Sequence, residues 1–324
     1  MISGIPRYNI YKRCVKGPGN NYPGFRFINI ILFSALFLLP KQTFTQNNSA
    51  IDSLKKVLSK SKEDTSKVFT LLQLGEQYET NQPDSSIFYY KLAGALSQQL
   101  KHSYGRLRYI ADYSYILSIQ GKFDESLALN LEGITIAEKL NDPIALGKTL
   151  NNTANTYLYN QQNELALDYY IKARPYIENS GNAYFKSVLY SNIATIYLNL
   201  EQYELSLEYC HKGEKLARSI NDTLSLGPSL LNSANAYVRL RHYDSAATYF
   251  KEARQIAQLT KEYNLLTGIL LGLAALNTKT GKVLENAPLL EEVIILARQN
   301  QDARTLGLAY EGWTAYYFTK RIMY

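Results

Sequence analysis

A chain of 324 residues that is 46% hydrophobic and holds only nine prolines has material for a continuous core and excludes long disordered tracts. Its net charge of +7 is concentrated at the start, where residues 1–46 carry Arg7, Lys12, Arg13, Lys16, Arg26 and Lys41 and no acid. The remainder, with 29 bases and 28 acids, lacks the basic balance of a protein that neutralises many phosphates, and the two cysteines, Cys14 and Cys210, exclude a disulfide framework.

The first predicted element is a leader over residues 1–45. Phe27 to Pro40 is a 14-residue apolar run behind Arg26, long enough for a signal-peptide core and short of the ~18–20 residues that span a bilayer comfortably. Thr43-Phe44-Thr45 offers cleavage before Gln46. The expectation is an exported, periplasmic protein; an uncleaved leader would instead anchor the chain to a membrane.

Residues 46–64 read as an N-terminal capping helix, with Ile51, Leu54, Val57 and Leu58 on one stripe. Asp64 or Thr65 is placed to cap the next helix.

From residue 65 to 319 the chain repeats. Ser86, Ser126, Ala166, Ser206, Ala246 and Asn286 are small or polar and follow one another at a 40-residue step, which Ala93, Gly133, Ala173, Gly213, Ala253 and Val293 also keep. A fixed period of this length marks a solenoid of supersecondary units that bury their apolar faces against one another. Each unit reads as a helix pair: Leu150, Ala154 and Tyr157 on one helix, a break at Gln161-Gln162-Asn163, then Ala166, Leu167, Tyr170, Ala173 and Ile177 on the next. Small residues let the helices approach, and Tyr157, Tyr197 and Tyr237 fill the space beside them as packing residues. Cys210 falls inside, as a buried thiol. Asn286 and Val293 enlarge two close-packed positions, so the sixth unit is expected to pack less regularly.

The sets Ala194/Tyr197/Tyr203/Ser206/Gly213 and Ala234/Tyr237/Tyr243/Ala246/Ala253 resemble the tetratricopeptide repeat, in its longer, 40-residue subclass. The resemblance covers roughly residues 65–320. It implies an all-α, right-handed solenoid of antiparallel helix pairs, here six repeats plus the first helix of a seventh, with residues 320–324 as a truncated end. The run DSLKKVLSKSKEDTSKVFTLLQLG with Pro83-Asp84-Ser85 is similar to the exported N-terminal repeat regions of bacterial sensor histidine kinases. In that family a membrane helix and an output domain follow.

The resemblance also implies that the first helix of each pair lines a concave groove. Candidate peptide-binding positions there are Tyr115, Asn151, Asn152, Asn155, Asn192, Thr195, Asn232, Asn235 and Arg239. Asn152, Asn192 and Asn232 keep the 40-residue step and offer an amide ladder to an extended peptide backbone. The alternative is that these asparagines bond neighbouring helices. Val188 and Pro228 stand where a basic residue is wanted in the carboxylate-gripping grooves of some chaperone-binding relatives, which argues against that activity.

No reactive constellation stands out. His102, His211 and His242 share no ligand spacing, and adjacent acids such as Glu291-Glu292 cannot flank one bond. The expected function is non-catalytic protein or peptide binding, without cofactor, metal or nucleic acid, as the sensing or interaction region of a signalling protein. The alternatives are a fragment of a histidine kinase and a freestanding assembly factor of the cell envelope.

Overall fold

The computed structural model describes residues 48–79, 82–300 and 302–323. The leader predicted at 1–45, with Cys14 and the apolar run, lies outside the described residues. No helix among the described residues is long and apolar enough to cross a membrane.

Fourteen α-helices and no strand occupy the described residues. Helix α1 (Asn48–Lys60) precedes the pairs α2 (Thr65–Tyr78) with α3 (Pro83–Gln99), α4 (Ser103–Ile119) with α5 (Phe123–Lys139), and α6 (Pro143–Tyr159) with α7 (Asn163–Asn179). Then follow α8 (Ala183–Asn199) with α9 (Tyr203–Ser219), α10 (Thr223–Arg239) with α11 (Tyr243–Thr260), α12 (Tyr263–Lys279) with α13 (Ala287–Gln299), and finally α14 (Ala303–Met323). A 3-10 turn, Val283–Asn286, leads into α13.

The helix starts from Pro83 to Tyr243 follow a 20-residue step, half the period of the side-chain pattern. Each turn between them uses one residue in the left-handed region: Lys101, Gly121, Asn141, Gln161, Gly181, Glu201, Asn221, Arg241, Lys261 and Gly281 all have φ between 49° and 78°. The next amide usually reaches back five residues, as Gln162 N does to Tyr157 O (2.9 Å) and Gln202 N to Tyr197 O (2.8 Å). This closes the helix end with a Schellman turn. Side-chain caps alternate. Asp64, His102, Asp142, Asn182 and Asp222 cap α2, α4, α6, α8 and α10 by accepting backbone N–H bonds, whereas α3, α5, α7, α9 and α11 have no side-chain cap. The 40-residue period therefore belongs to the pair, and the 20-residue period to the turn.

All twelve positions on the 40-residue step are buried. Two of the three serines among them also tie their pair together: Ser126 Oγ donates to Ser114 O (2.8 Å) and Ser206 Oγ to Ala194 O (2.9 Å), whereas Ser86 Oγ has no partner. The repeated tyrosines pack in pairs, Tyr157 on Tyr169 (5.3 Å between centroids), Tyr197 on Tyr209 (5.5 Å) and Tyr237 on Tyr249 (5.3 Å). Cys210 is buried, and burial pushes its thiol up to about 12. Helix α1 buries Ile51 against Leu74 and Tyr78, with Leu54 and Leu58 beside it. Val57, read as part of that stripe, is instead exposed.

The first helices pack directly on one another along α2–α4–α6 and α8–α10–α12. Helices α6 and α8 approach less closely, as do α12 and α14. Each of these looser steps borders a cavity.

Candidate functional site

The larger cavity is a groove of about 470 Å³ walled by the first helices α2, α4, α6 and α8. Helical spacing decides which side chains line it. On α4, Arg108, Asp112 and Tyr115 succeed one another at three- and four-residue steps; on α6, so do Lys148, Asn152, Asn155 and Tyr159, with Asn151 beside Asn152. Helix α8 adds Tyr184, Phe185, Val188 and Asn192, and the C-terminal end of α2 brings Glu76 and Glu79.

Beneath α4 and α6 lies a buried hydroxyl cluster. Ser118 Oγ and Ser126 Oγ are 2.9 Å apart, both reach Thr156 Oγ1 (3.1 and 2.9 Å), and Asn130 Nδ2 donates to the same oxygen (3.0 Å). These bonds hold α4, α5 and α6 in register beneath the groove, although Asn130 Oδ1 itself has no partner.

The groove's charges are unevenly engaged. Arg108 Nε donates to Asp112 Oδ2 (2.8 Å), and its Nη2 lies 3.4 Å from Glu76 Oε2. Burial raises the Asp112 carboxyl to about 6, with Arg108 working the other way and Glu79 and Glu76 reinforcing the rise. Lys148 has no carboxylate partner among the described residues; its Nζ sits 4.2 Å from the centroid of the Phe185 ring, and burial lowers its pKa against the opposing pull of Asp142. Burial also holds the Tyr115 phenol well above its ordinary value and pushes Tyr159 and Tyr184 up to about 12, so all three stay neutral.

Among the sequence candidates, Tyr115, Asn151, Asn152, Asn155 and Asn192 converge on this groove. Asn155 Oδ1 accepts from the Tyr170 hydroxyl and from Asn192 Nδ2 (3.3 Å). The Oδ1 atoms of Asn151 and Asn192 have no hydrogen-bond partner. Thr195, Asn232, Asn235 and Arg239 lie outside it. Thr195 and Asn232 are each 1% exposed, as is Asn192, and Asn232 Nδ2 donates to Thr195 Oγ1 (2.8 Å) and Ser191 O (3.3 Å), bracing α10 against α8, while its Oδ1 has no partner. Arg239 lies over the Tyr203 ring, 5.7 Å from its centroid, and Asn235 is half-buried on α10.

The groove's charged residues were missed at the sequence level, although a signal was present. One 40-residue step before Val188 stands Lys148, and a further step back stands Arg108. The bases absent at Val188 and Pro228 are supplied by the two preceding units. On the ladder itself, Asp112 occupies the place that Asn152, Asn192 and Asn232 hold in later units.

Residues 186–258 match the family model of the tetratricopeptide repeat, and residues 260–320 match that of anaphase-promoting complex subunit 5. No curated protein matches the chain significantly in sequence. Among solved structures, the chain is similar to a signal transduction ATPase with numerous domains and a tetratricopeptide repeat sensor from Pyrococcus horikoshii. The TM-score is 0.58 at 20% identity over 83% of this chain and 41% of that one, so the chain spans less than half of that protein's length. A Rap protein solved in complex with competence and sporulation factor gives a TM-score of 0.63 at 13% identity, covering 87% of this chain and 82% of that one. Aspartyl phosphate phosphatase F from Bacillus subtilis gives 0.57 at 15%, covering 93% and 82%. At these identities the likeness establishes the fold: an all-α helical solenoid of the tetratricopeptide type.

Proposed function

We propose that this tetratricopeptide-type solenoid is a non-catalytic scaffold that grips an extended peptide segment of a protein partner in the groove walled by α2, α4, α6 and α8, with an acidic group of that segment at Lys148. Lys148 carries the reading. Its ammonium lines the groove beside the Phe185 ring with no carboxylate partner among the described residues, so an arriving carboxylate would be its counter-ion. The half-buried amides of Asn151, Asn152 and Asn155 line the groove and suit a peptide backbone, and Tyr115, Tyr184 and Phe185 offer apolar contact beside them. A groove crossing four helices suits an extended chain better than a compact ion.

We further infer that the scaffold is the sensing or interaction region of an exported signalling protein. The apolar run at residues 27–40 behind Arg26 supports export, and the segment from Asp52 to Gly75 supports the signalling context by its resemblance to exported sensor regions.

A random-peptide array probed with the full chain tests the groove. The best-captured acidic peptide should bind at least tenfold more weakly to Lys148→Ala and to Asn152→Ala, with their thermal melts unchanged. Asn232→Ala should leave affinity intact and lower the melting temperature. Undiminished capture by Lys148→Ala refutes the role given to that residue, and equal loss in Asn232→Ala moves the binding face away from this groove.

A further inference from the structure

The second cavity lies at the other end of the described solenoid and arises from one residue. At the crossing point of the helix pair, Asn286 stands where three other units have serine, two of which, Ser126 and Ser206, bond a carbonyl of the first helix. Its Nδ2 repeats the serine's bond, donating to Ala274 O at 3.0 Å, twelve residues back as in those units. The amide is bulkier than a hydroxymethyl group. The second helix here opens with the 3-10 turn Val283–Asn286, and its α-helical part is 13 residues where α5 and α9 have 17. Beside that displaced turn, α12 and α14 approach less closely than α10 and α12 do.

What results is a pocket of about 210 Å³ between α12, the turn, α13 and α14, walled by Leu271, Ala274, Leu290, Leu308, Ala315 and Phe318. Asn286 also lines it and is 3% exposed. Its orientation is fixed, because the Ala274 carbonyl can only accept and so must face Nδ2, which also lies 3.3 Å from Thr278 Oγ1. Asn286 Oδ1 is left buried with no partner. Close-packed interiors rarely leave such space, and a buried acceptor without a donor is costly. An apolar cavity of ~150 Å³ holds benzene, so this one has room for two fused rings.

We propose that the pocket binds a small planar aromatic molecule with a single N–H or O–H donor, of indole or phenol chemistry, its donor on Asn286 Oδ1 and its rings between α12 and α14. Nothing in this depends on the peptide groove, which is built from other helices.

Trp313, the chain's single tryptophan, adjoins the pocket residue Gly312 and supplies one indole N–H resonance as a reporter in the ¹⁵N-labelled full chain. Titration with unlabelled indole should give a saturable shift. Indene, with the same fused rings and no donor, should bind at least tenfold more weakly. Asn286→Ser restores the residue of the equivalent positions and should make indole and indene bind alike, while Ala315→Leu should fill the space and abolish both. The proposal is overturned by the absence of a saturable shift, by equal binding of indole and indene to the unmodified chain, or by undiminished binding to Ala315→Leu. The last two tests stand even where Asn286→Ser fails to fold.

Discussion

Four residues on one 40-residue ladder meet four different fates. Asp112 is ion-paired, Asn152 lines the groove, Asn192 both lines the groove and bonds Asn155, and Asn232 is spent on helix packing. Identical spacing gives an identical place on the helix, and the neighbours decide what that place can do. Asp112 makes the difference measurable. Its folded-state pKa of about 6 lies above the ordinary carboxylate value, so between about pH 4 and 6 the folded chain holds a proton that the unfolded chain has released. The stability this gives is fully present below about pH 4 and is lost as the pH rises through 6. In urea unfolding, the stability of the unmodified chain relative to Asp112→Asn should therefore fall by about 2 kcal/mol between pH 4 and pH 7. A difference that stays constant over that window shows that the carboxyl titrates normally.

At the scale of the element, the turns are more regular than the helices they join. Ten positions on the 20-residue step share the left-handed conformation, and only Gly121, Gly181 and Gly281 are glycines. The other seven carry a Cβ where the backbone disfavours one, at about 1 kcal/mol each. Glu201 (φ 61°) is exposed, and so is Gly181 (φ 71°), where an added Cβ would touch nothing within 4 Å. Backbone strain is thus the main difference between them. Glu201→Gly should stabilise the chain and Gly181→Ala destabilise it, each by about 1 kcal/mol, as read from chemical denaturation midpoints. If both changes are neutral, the turns relax without cost. The 20-residue step was hidden in the sequence because the residues that obey it share a conformation and not a chemistry.

In the whole molecule, stability is distributed unit by unit, since each helix pair touches only its neighbours. Burial is greatest in α10, where an unbroken run from Ser225 to Ala234 is buried, followed by α8 and α12. Helix α14 exposes Tyr310, Tyr317, Phe318 and Ile322, and α1 exposes Val57. Native-state hydrogen exchange should be slowest in α8 and α10 and fastest in α1 and α14, with α6 and α7 opening apart from α8 and α9 across the looser step between them. Uniform protection along the chain would mean that the solenoid opens as one cooperative body.

The sequence by itself determined the helix pairs, their 40-residue period, the buried small residues and the stacking tyrosines. All of these follow from spacing along one chain, and a helix turns spacing directly into a face. It also singled out Tyr115, Asn151, Asn152, Asn155 and Asn192, together with four residues that do not join them. Only the tertiary structure decided that α6 and α8 stand apart while α8 and α10 are braced together. Asn192 thereby lines a groove together with Arg108 and Lys148, whereas Asn232 lies outside it with its amide nitrogen bonded to α8. Which polar atoms remain free depends on which helix arrives opposite, at what distance, and that is a property of contacts between units and not of any residue's place in the repeat.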